Sequence, residues 1–384
     1  MNDDRQALLL TELLTDLIAI PSTYPDGNTE AIAAYCVRRL EAAGYALQCL
    51  RSGSVANVVA RLGSGSPSVV FNVHVDTVEA GDRAAWASDP FHAEVREQRI
   101  YGLGAGNCKG PMAVQLWLAE EVARRGGPAR GEVVFTFVGD EESLGPNGLK
   151  FLRDTGHVNP DILIVGAQTE NQLVVEERGV MWVRVATHGK PAHAGTPQQG
   201  DNAIARMLRV LQHIESTLAP AIAARRSGTK QATISLGTID GGSNTNVVPG
   251  ACSATIDRRL LPGESLAGAF EELRDAALAA GEPAGTVEVK LLTGSEGFDS
   301  GRSGPGVAAF QEAIERTLGQ PASFLDVVGV FDGRYFAGDG IEIIDFGPGE
   351  GHEGHAPNES TPIAQLEQAA QIQLRVLQQL LGLP

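Results

Sequence analysis

Three segments of this 384-residue chain bring imidazole and carboxylate side chains together at spacings that suit metal binding or acid–base chemistry. His74 and Asp76 alternate in the segment HVD, Glu141 and Glu142 are adjacent in GDEES, and His355 lies in the glycine-rich segment GPGEGHEGHAPNES. Zinc binds histidine nitrogens and carboxylate oxygens, and a nearby carboxylate can orient a ligating imidazole. Two adjacent carboxylates in unlike surroundings can divide the work, one as a metal ligand and the other as a general base.

A fourth segment, YGLGAGNCKGPM (Tyr101–Met112), is a glycine-rich turn ahead of a helical pattern, which is a common place for catalytic groups. Its centre carries Asn107 and Cys108, which are neutral where a carboxylate would be expected. The glycines do not form a dinucleotide fingerprint, because Asn107 stands at the position of the third glycine. The chain contains neither a GxxxxGKS/T phosphate loop nor a GxSxG nucleophile elbow, which disfavours nucleotide and serine-hydrolase chemistry.

Composition excludes several classes of partner. The chain has 30 Lys and Arg against 47 Asp and Glu, and its formal net charge of -17 would repel nucleic acid. No run of about 18 or more apolar residues occurs, and the segment MNDDRQALLL is acidic where a secretory signal is basic. We therefore expect a cytoplasmic protein with no membrane partner. The cysteines form no CxxC pair, and we expect all of them to be buried apolar residues: Cys36, Cys49, Cys108 and Cys252.

The elements that must position these residues begin with short β-branched runs separated by helical patterns. The runs Ser68–Asp76, Glu132–Glu142 and Asp161–Glu170 each end in polar residues. This alternation is typical of an α/β fold with a mostly parallel sheet, whose functional residues lie at the strand ends.

The pattern changes near Gly179, where the segments GVMWVRVATHG, ATISLGTIDGG and GACSATIDRRL alternate as half-exposed antiparallel strands do. The α/β character returns after about residue 295, with the strand pattern Ile341–Gly347. A chain of this length favours two domains. We predict a discontinuous α/β domain of residues 1–178 and 295–384, with an inserted smaller α+β domain of residues 179–294.

Seven segments, in order along nearly the whole chain, resemble the M20 family of zinc-dependent amidohydrolases and peptidases: HVD, GLGAGNCKG, GDEES, GKPAHAGTPQQGDNAI, GGSNTNVVP, DRRLLPGE and GHAPNES. The family includes acetylornithine deacetylase, succinyl-diaminopimelate desuccinylase and the glutamate carboxypeptidases. The resemblance implies that the larger domain is catalytic and carries a two-zinc site, and that the smaller one is a lid and dimerisation domain. It also implies an N-acyl amino acid or short peptide as substrate.

The resemblance assigns roles to the residues singled out above. His74, Glu142 and His355 would be zinc ligands. Glu141 would be the general base that deprotonates the attacking water, and Asp76 would orient His74. We expect these side chains to converge on one cleft despite their wide separation in sequence.

Two of the five family ligands are altered in this chain. Asn107 stands where the family has the aspartate that bridges both ions, and Ala167 stands where it has a glutamate ligand. Two divalent ions bring four positive charges, which the family offsets with three carboxylates and this chain with Glu142 alone. Like ions about 4 Å apart repel strongly without a bridging anion. We therefore expect at most one well-held zinc per subunit, at Glu142 and His355, with Asn107 as a weak third ligand.

Zero or two ions per subunit are the alternatives. A second ion would need a further ligand, and Cys108 as a thiolate is one possibility because zinc favours sulfur. Adjacent side chains usually point apart, which argues against Cys108 joining Asn107 at one ion. Glu170 is the other possibility, although no spacing argument supports it.

The resemblance also supplies residues that would contact the substrate. His193, in PAHAG, matches the family histidine that reaches the active site of the partner subunit and polarises the scissile carbonyl. Arg259, in DRRLLPGE, matches the arginine that holds a substrate carboxylate, and Asn246 belongs to the same wall of the pocket. Asn107 would contact a polar substrate group. A homodimer is therefore expected.

Three functions remain in view. The first is amide hydrolysis with one metal ion and Glu141 as the base, since one zinc still acidifies water and polarises a carbonyl. The second is a changed reaction in the same pocket, a metal-poor lyase, isomerase or acyl-transfer enzyme that uses Glu141 as acid and base. The third is a non-catalytic protein that binds acylated amino acids through Arg259, although a binder has no need of Glu141.

Overall fold

The chain forms two compact units in a computed structural model that describes residues 3–23 and 28–384. The first unit comprises the described residues up to Val175, with Ser300–Leu325 and Phe331–Pro384, and the second comprises Glu176–Asp299 and Asp326–Val330. The chain thus crosses between units after Val175, Asp299, Leu325 and Val330, whereas we expected two crossings only, after residues 178 and 294. The first two crossings are shifted because Glu176–Glu177 and Phe298–Asp299 pair with each other as strands.

The first unit has alternating strands and helices before its chain leaves for the second unit. These elements are α1 Asp3–Ile18, α2 Glu30–Ala42, β1 Ala46–Ser52, β2 Val55–Ser64, β3 Ser68–His74, β4 Glu94–Arg96, β5 Arg99–Tyr101, α3 Lys109–Arg124, β6 Gly131–Val138, α4 Leu149–Asp154 and β7 Ile162–Gly166.

The second unit contains mostly antiparallel strands and two longer helices. Its elements are β8 Glu176–Glu177, β9 Gly179–His188, α5 Ala203–His213, α6 Ala219–Ala223, β10 Arg226–Ser227, β11 Lys230–Gln231, β12 Thr233–Gly241, β13 Ala251–Leu260, α7 Leu266–Leu278, β14 Val287–Ser295 and β15 Phe298–Asp299. The chain then completes the first unit with α8 Pro305–Leu318, β16 Glu342–Phe346, β17 Ser360–Pro362 and α9 Ile363–Leu381.

A six-stranded sheet in the order β1-β2-β6-β3-β7-β16 is the centre of the first unit. The pairs β6-β3, β3-β7 and β7-β16 are parallel, and β1-β2 and β2-β6 are antiparallel. Every residue of β3 is buried, as its uninterrupted β-branched and aromatic sequence predicts for a central strand. The carboxyl ends of the four parallel strands meet at one edge of the sheet.

The two faces of β3 have different neighbours. Phe71 and Val73 belong to the hydrophobic core that includes residues of α1, α3, α8 and α9. Side chains alternate along a strand, so Asn72 and His74 project from the opposite face. Asn72 donates a hydrogen bond there to Asp332, which begins a short 3-10 turn, Asp332–Phe336.

The second unit is built on a four-stranded antiparallel sheet in the order β12-β13-β9-β14. Buried residues of β9 and β13 pack with residues of α5 and α7 in a separate hydrophobic core. The strand β12 lies at one edge of this sheet, and almost all of its residues are exposed.

The apolar character of the helices and the burial of the cysteines bear on two further expectations. No helix in the described parts of the chain is both long enough and apolar enough to cross a membrane. Cys36, Cys108 and Cys252 are buried, but the expectation is wrong for Cys49, which is exposed. Cys49 lies on β1, an edge strand of the six-stranded sheet in which no residue is fully buried.

Candidate active site

The expected site residues of the first unit follow the carboxyl ends of the parallel strands. His74 ends β3 and Asp76 follows it, while Glu141 and Glu142 come shortly after β6. His355 lies in the loop between β16 and β17, and Asn107 lies in the turn before α3.

A buried carboxylate holds the turn that carries Asn107. Glu359 is only 2% exposed, and it accepts backbone N–H groups from Gly104 at 2.9 Å, Gly106 at 2.9 Å and Asn107 at 2.5 Å. Burial raises the pKa of Glu359 to about 7, although these three hydrogen bonds lower it. Gly104 has a φ of +80°, a left-handed conformation that favours glycine. Glu359 therefore fixes the backbone that presents the Asn107 side chain.

Asn107 lies between the two groups of expected metal ligands. Its Oδ1 is 3.2 Å from Nε2 of His74, and its Nδ2 is 2.7 Å from Oε1 of Glu142 and 2.9 Å from Nε2 of His355. Asn107 is 8% exposed and His74 is 4% exposed, whereas the His355 side chain is 52% exposed. The amide thus links the inner part of the site to its open side.

His74 is oriented mainly by a backbone carbonyl. Its Nδ1 lies 2.9 Å from the carbonyl oxygen of Asp76 and 3.6 Å from the Asp76 carboxylate. The same carboxylate accepts the backbone N–H of Glu142 at 3.1 Å. Asp76 therefore ties the end of β3 to the segment after β6. Burial alone would lower the pKa of His74, but Cys108, Glu141 and Asp76 raise it well above its ordinary value.

Glu141, the expected general base, is 7% exposed and has two differently placed carboxylate oxygens. Oε2 lies 3.9 Å from Nε2 of His74, on the side of the metal ligands. Oε1 accepts a hydrogen bond at 3.2 Å from Nη1 of Arg334. Burial raises the pKa of Glu141 to about 7, while His74 and Arg334 oppose that rise.

The distances among three atoms of Asn107, Glu142 and His355 show whether the site suits a metal ion. Glu142 Oε1 and His355 Nε2 are 2.9 Å apart, and each is within 2.9 Å of the Asn107 amide nitrogen. If Asn107 Nδ2 and His355 Nε2 both donate to Glu142, these two nitrogens are donors that face each other. Hydrogen bonds alone therefore cannot satisfy all three contacts. A zinc ion binds nitrogen and oxygen ligands at about 2.0–2.2 Å, which places three such ligand atoms about 3 Å from one another.

The donor set therefore fits one divalent ion, with the Asn107 amide turned to present its oxygen. His74, Glu141 and Glu142 also offer ligand atoms that lie within 4.8 Å of one another. The hydrogen bond with Glu142 raises the pKa of His355, so a metal ion would have to displace a proton there.

The altered position Ala167 is 1% exposed and follows β7 directly, but its methyl group offers no ligand atom. The neighbouring Gln168 has a buried Oε1 without a hydrogen-bond partner among the described residues. A Cβ atom on Gly106 would lie 3.1 Å from that oxygen. Gln168 therefore brings an unsatisfied acceptor close to the turn that carries Asn107.

The two alternative ligands are placed less favourably. Cys108 is buried, and its thiol lies 3.1 Å from the backbone carbonyl of Gly166, which accepts from it. Burial raises the pKa of the Cys108 thiol, which disfavours the thiolate. Glu170 is exposed, and its backbone has a left-handed φ of 55°. His352, the other histidine of the segment GPGEGHEGHAPNES and also a candidate ligand by sequence, is exposed and lies 3.9 Å from Glu350.

The other expected substrate residues belong to the second unit. His193 and Asn246 lie on neighbouring exposed loops, since His193 pairs with Val247 and the N–H of Ala194 donates to the Asn246 carbonyl at 2.9 Å. The backbone N–H of Gly195 donates to Nδ1 of His193 at 3.0 Å. A neutral His193 therefore carries its proton on Nε2, from which it can donate to a ligand.

Arg259 lies near the opposite end of the same sheet. It is next to the last residue of β13, and its Nε donates to the Asp257 carboxylate at 2.9 Å. The loop with Asn246 precedes the first residue of β13, Ala251. At about 3.4 Å per residue, Arg259 and Ala251 are about 27 Å apart. Arg259 and Asn246 of one chain therefore do not meet on one small ligand.

Sequence reasoning missed two charged residues at the site. Glu359 is part of the quoted segment GHAPNES, and its position in a glycine-rich loop was the available signal. Arg334 lies in FDGRYF, where a charged pair interrupts an apolar stretch, but nothing in that spacing connects it with Glu141.

Comparison with known proteins identifies the family. Residues 70–379 match the model of peptidase family M20/M25/M40. The chain belongs to this family. It is therefore an enzyme of the hydrolase class, and the resemblance inferred from the seven sequence segments is confirmed.

Relatives match nearly the whole chain. The succinyl-diaminopimelate desuccinylase of Caulobacter sp. (strain K31) is 30% identical over 374 residues, which cover 93% of this chain and 92% of that protein. An M20 family metallo-carboxypeptidase from Sulfolobus solfataricus has a TM-score of 0.80 at 17% identity and covers 97% of this chain and 99% of its own.

A dinuclear metal binding peptidase of the M20 family from Bacillus subtilis has a TM-score of 0.72 at 17% identity, covering 99% of this chain and 100% of its own. At these identities the two structures show the fold alone. They confirm the mixed α/β class with a mostly parallel sheet.

Proposed function

We propose that this M20 enzyme hydrolyses the amide bond of an N-acyl amino acid or short peptide, with at most one well-held zinc ion per subunit. The observation that carries the proposal is the mutual contact of Asn107, Glu142 and His355 beside Glu141. Glu142, His355 and the Asn107 oxygen would hold the ion. When bound, a divalent ion supplies Lewis acidity for an amide carbonyl and an attacking water.

The other residues have roles that their placement supports. Glu141 takes the proton of the attacking water at Oε2, because Oε1 is engaged by Arg334. The water oxygen bonds to the amide carbon, the carbon–nitrogen bond breaks, and the proton passes from Glu141 to the leaving amine, so that a carboxylic acid and an amine are released. His74, held by the Asp76 carbonyl, keeps Asn107 in place or contributes to the metal site.

The proposal is tested on protein stripped with a chelator and then titrated with Zn²⁺. We expect hydrolysis of a panel of N-acetyl, N-succinyl and dipeptide substrates to be lost on stripping and restored at about one zinc per chain. Elemental analysis of protein purified without chelator gives the same stoichiometry independently. Activity that survives complete metal removal would contradict the proposal, and activity that needs two ions would contradict its metal count.

A metal-poor acid–base reaction is the second candidate, because one observation favours it. In the absence of an ion, Asn107 still accepts from His74 and donates to Glu142, so these groups remain hydrogen-bonded. Glu141 then faces His74 at 3.9 Å as an acid–base pair. A stripped enzyme that transforms an acylated amino acid without releasing both hydrolysis products would favour this candidate.

The substrate-binding roles of Arg259 and His193 require two copies of the chain. Since these residues lie near opposite ends of the sheet in the second unit, we infer that they serve different active sites and that His193 serves the site of its partner. Asn246 would accompany His193. The family resemblance likewise implies that His193 reaches the active site of the partner.

An exposed apolar surface supports a homodimer. Leu208 is 57% exposed, Leu236 is 41% exposed and Ile239 is 55% exposed, and they line a groove of about 430 Å³ between α5 and the edge strand β12. An edge strand with unpaired backbone groups next to an apolar groove suits pairing with the same strand of a second copy.

Mixing two inactive variants tests this arrangement. Glu141→Gln and His193→Ala should each be nearly inactive alone. Half of a randomly mixed population is heterodimers with one intact site in two, so the mixture should recover about a quarter of the parental activity. A mixture that recovers nothing, while dimers form and exchange, would contradict the role of His193 in its partner's site.

A charge on the edge strand tests the interface itself. Ile239→Lys should shift the protein toward the monomer in sedimentation, because a charged residue blocks strand pairing. Leu292→Lys is the matched control, since Leu292 is 48% exposed on β14 at the other edge of the sheet. Equal sedimentation of both variants with the parent would rule out β12 as the interface.

A further inference from the structure

Arg334 is a buried arginine next to Glu141 of the proposed active site. Its side chain is 1% exposed, and it belongs to the short turn Asp332–Phe336 that packs against β3 and β7. A buried guanidinium needs partners for its charge and its N–H groups, because desolvation of an unpaired ion is strongly unfavourable. The partners of Arg334 therefore indicate what it does.

The guanidinium of Arg334 is held on two sides. Nη2 donates to the hydroxyl of Tyr335 at 2.8 Å, and that hydroxyl donates to the carbonyl of Gly145 at 2.7 Å. The Arg334 guanidinium also lies 4.4 Å from the centre of the Tyr335 ring. Asp332 lies 3.8 Å from Nη2 and is fixed by a hydrogen bond of 3.0 Å from Asn72.

The remaining side of Arg334 is directed at Glu141. Nη1 donates at 3.2 Å to Oε1 of Glu141, across 193 residues of sequence. The second oxygen of Glu141, Oε2, faces Nε2 of His74 at 3.9 Å. The two oxygens of one carboxylate therefore have separate surroundings, one occupied by the fixed guanidinium and one open to the reacting groups.

We propose that Arg334 is a positioning residue for the general base: it holds Oε1 of Glu141, so that Oε2 is the oxygen that takes the proton of the attacking water. This inference rests on the proposed hydrolysis and deepens it. The polar contacts of Arg334 are with Glu141, Tyr335 and Asp332 and not with Asn107, Glu142 or His355, so it acts on the site through Glu141. A buried ion pair by itself contributes little net stability, so stability alone does not account for this contact.

The first test compares three variants by their kinetics and zinc content. Arg334→Lys keeps the charge but cannot hold both Glu141 and Tyr335, and Tyr335→Phe removes only the hydroxyl that anchors Nη2. We expect kcat to fall about 10- to 100-fold in Arg334→Lys and several-fold in Tyr335→Phe, with KM and zinc stoichiometry unchanged. Arg334→Ala should lose kcat further and regain part of it when guanidinium chloride is added at millimolar concentration.

Arg206→Ala is the matched control. Arg206 is 2% exposed and pairs with Asp201 and Glu282 in the second unit, so its loss should lower thermal stability while kcat stays unchanged and guanidinium has no effect. If Arg334→Ala does not fold, Tyr335→Phe decides. Parental kcat in both Arg334→Lys and Tyr335→Phe overturns the inference.

The test also separates this inference from the proposed function. A parent enzyme that hydrolyses no N-acyl amino acid or peptide overturns the proposed function. In that case the crystal structure of Arg334→Lys tests the inference, because the position of Glu141 is read from it without any activity measurement. A Glu141 carboxylate that turns away from His74 supports it, and a carboxylate that keeps its placement overturns it.

Discussion

Glu141→Gln is expected to lower kcat by about 10²–10⁴-fold, because an amide cannot take a proton from the attacking water. The substitution keeps the size of the side chain and an oxygen that can still accept from Arg334, so the position of the group should be preserved. Zinc content should not change, since Glu141 lies outside the contacting triad of Asn107, Glu142 and His355. The measurement is steady-state hydrolysis with elemental analysis of the same preparation.

Glu142→Gln provides the contrast. Glu142 contacts both His355 and Asn107, so this variant should lose zinc and activity together, and added Zn²⁺ should restore part of the activity. Added Zn²⁺ should not restore Glu141→Gln. Loss of zinc in Glu141→Gln would instead make Glu141 a ligand, as its closeness to His74 and Glu142 also permits.

The part of the site that the sequence predicts follows from the rules of parallel sheets. Polar residues after β3 and β6 had to meet at one edge, because the carboxyl ends of neighbouring parallel strands lie side by side. His74 and Glu141 thus come within 3.9 Å although 66 residues separate them in the chain. The family resemblance then brought His355 into the same group from a loop that has no periodic pattern.

Contacts that depend on the second face of the sheet were not predictable in the same way. Arg334 lies in a short 3-10 turn whose position is set by packing against β3 and β7. No periodicity relates that turn to Glu141, and a charged pair in an apolar stretch is more often exposed. The separation of Arg259 from Asn246, by contrast, follows from one strand, since Asn246 precedes β13 and Arg259 lies next to its last residue.

The neutral centre of the site has a physical explanation in the contacts of Asn107. Its amide accepts at Oδ1 from His74 and donates at Nδ2 to Glu142, which an aspartate cannot do. An aspartate without an ion would face the Glu142 carboxylate at about the same 2.7 Å, where two like charges repel. Asparagine therefore holds these groups together when no ion is bound, and its amide oxygen can turn toward one ion at Glu142 and His355.

Restoring both carboxylates, in Asn107→Asp with Ala167→Glu, is expected to raise zinc content from one toward two per chain. The new aspartate offers one oxygen toward His74 and the other toward Glu142 and His355, and the glutamate adds a third negative charge against the four positive charges of the ions. Without zinc, the crowded carboxylates should lower the melting temperature below that of the parent. Added zinc should raise it by more than in the parent, because ions that bind the folded chain stabilise it.

Two control variants distinguish the effect of a bridging carboxylate from the effect of added negative charge. Gln48→Glu with Ala85→Glu adds the same two charges at exposed positions and should bind no additional zinc. Ala167→Glu alone adds a carboxylate but no bridge, and should remain near one ion per chain.

If the parent is a one-metal hydrolase, the double variant should hydrolyse N-acyl amino acids at least as fast, whereas a changed native reaction should be abolished because the added groups fill the space beside His74. A double variant that binds no more zinc than the parent would show that another ligand, such as Cys108 or Glu170, already completes the site and that the charge argument is wrong.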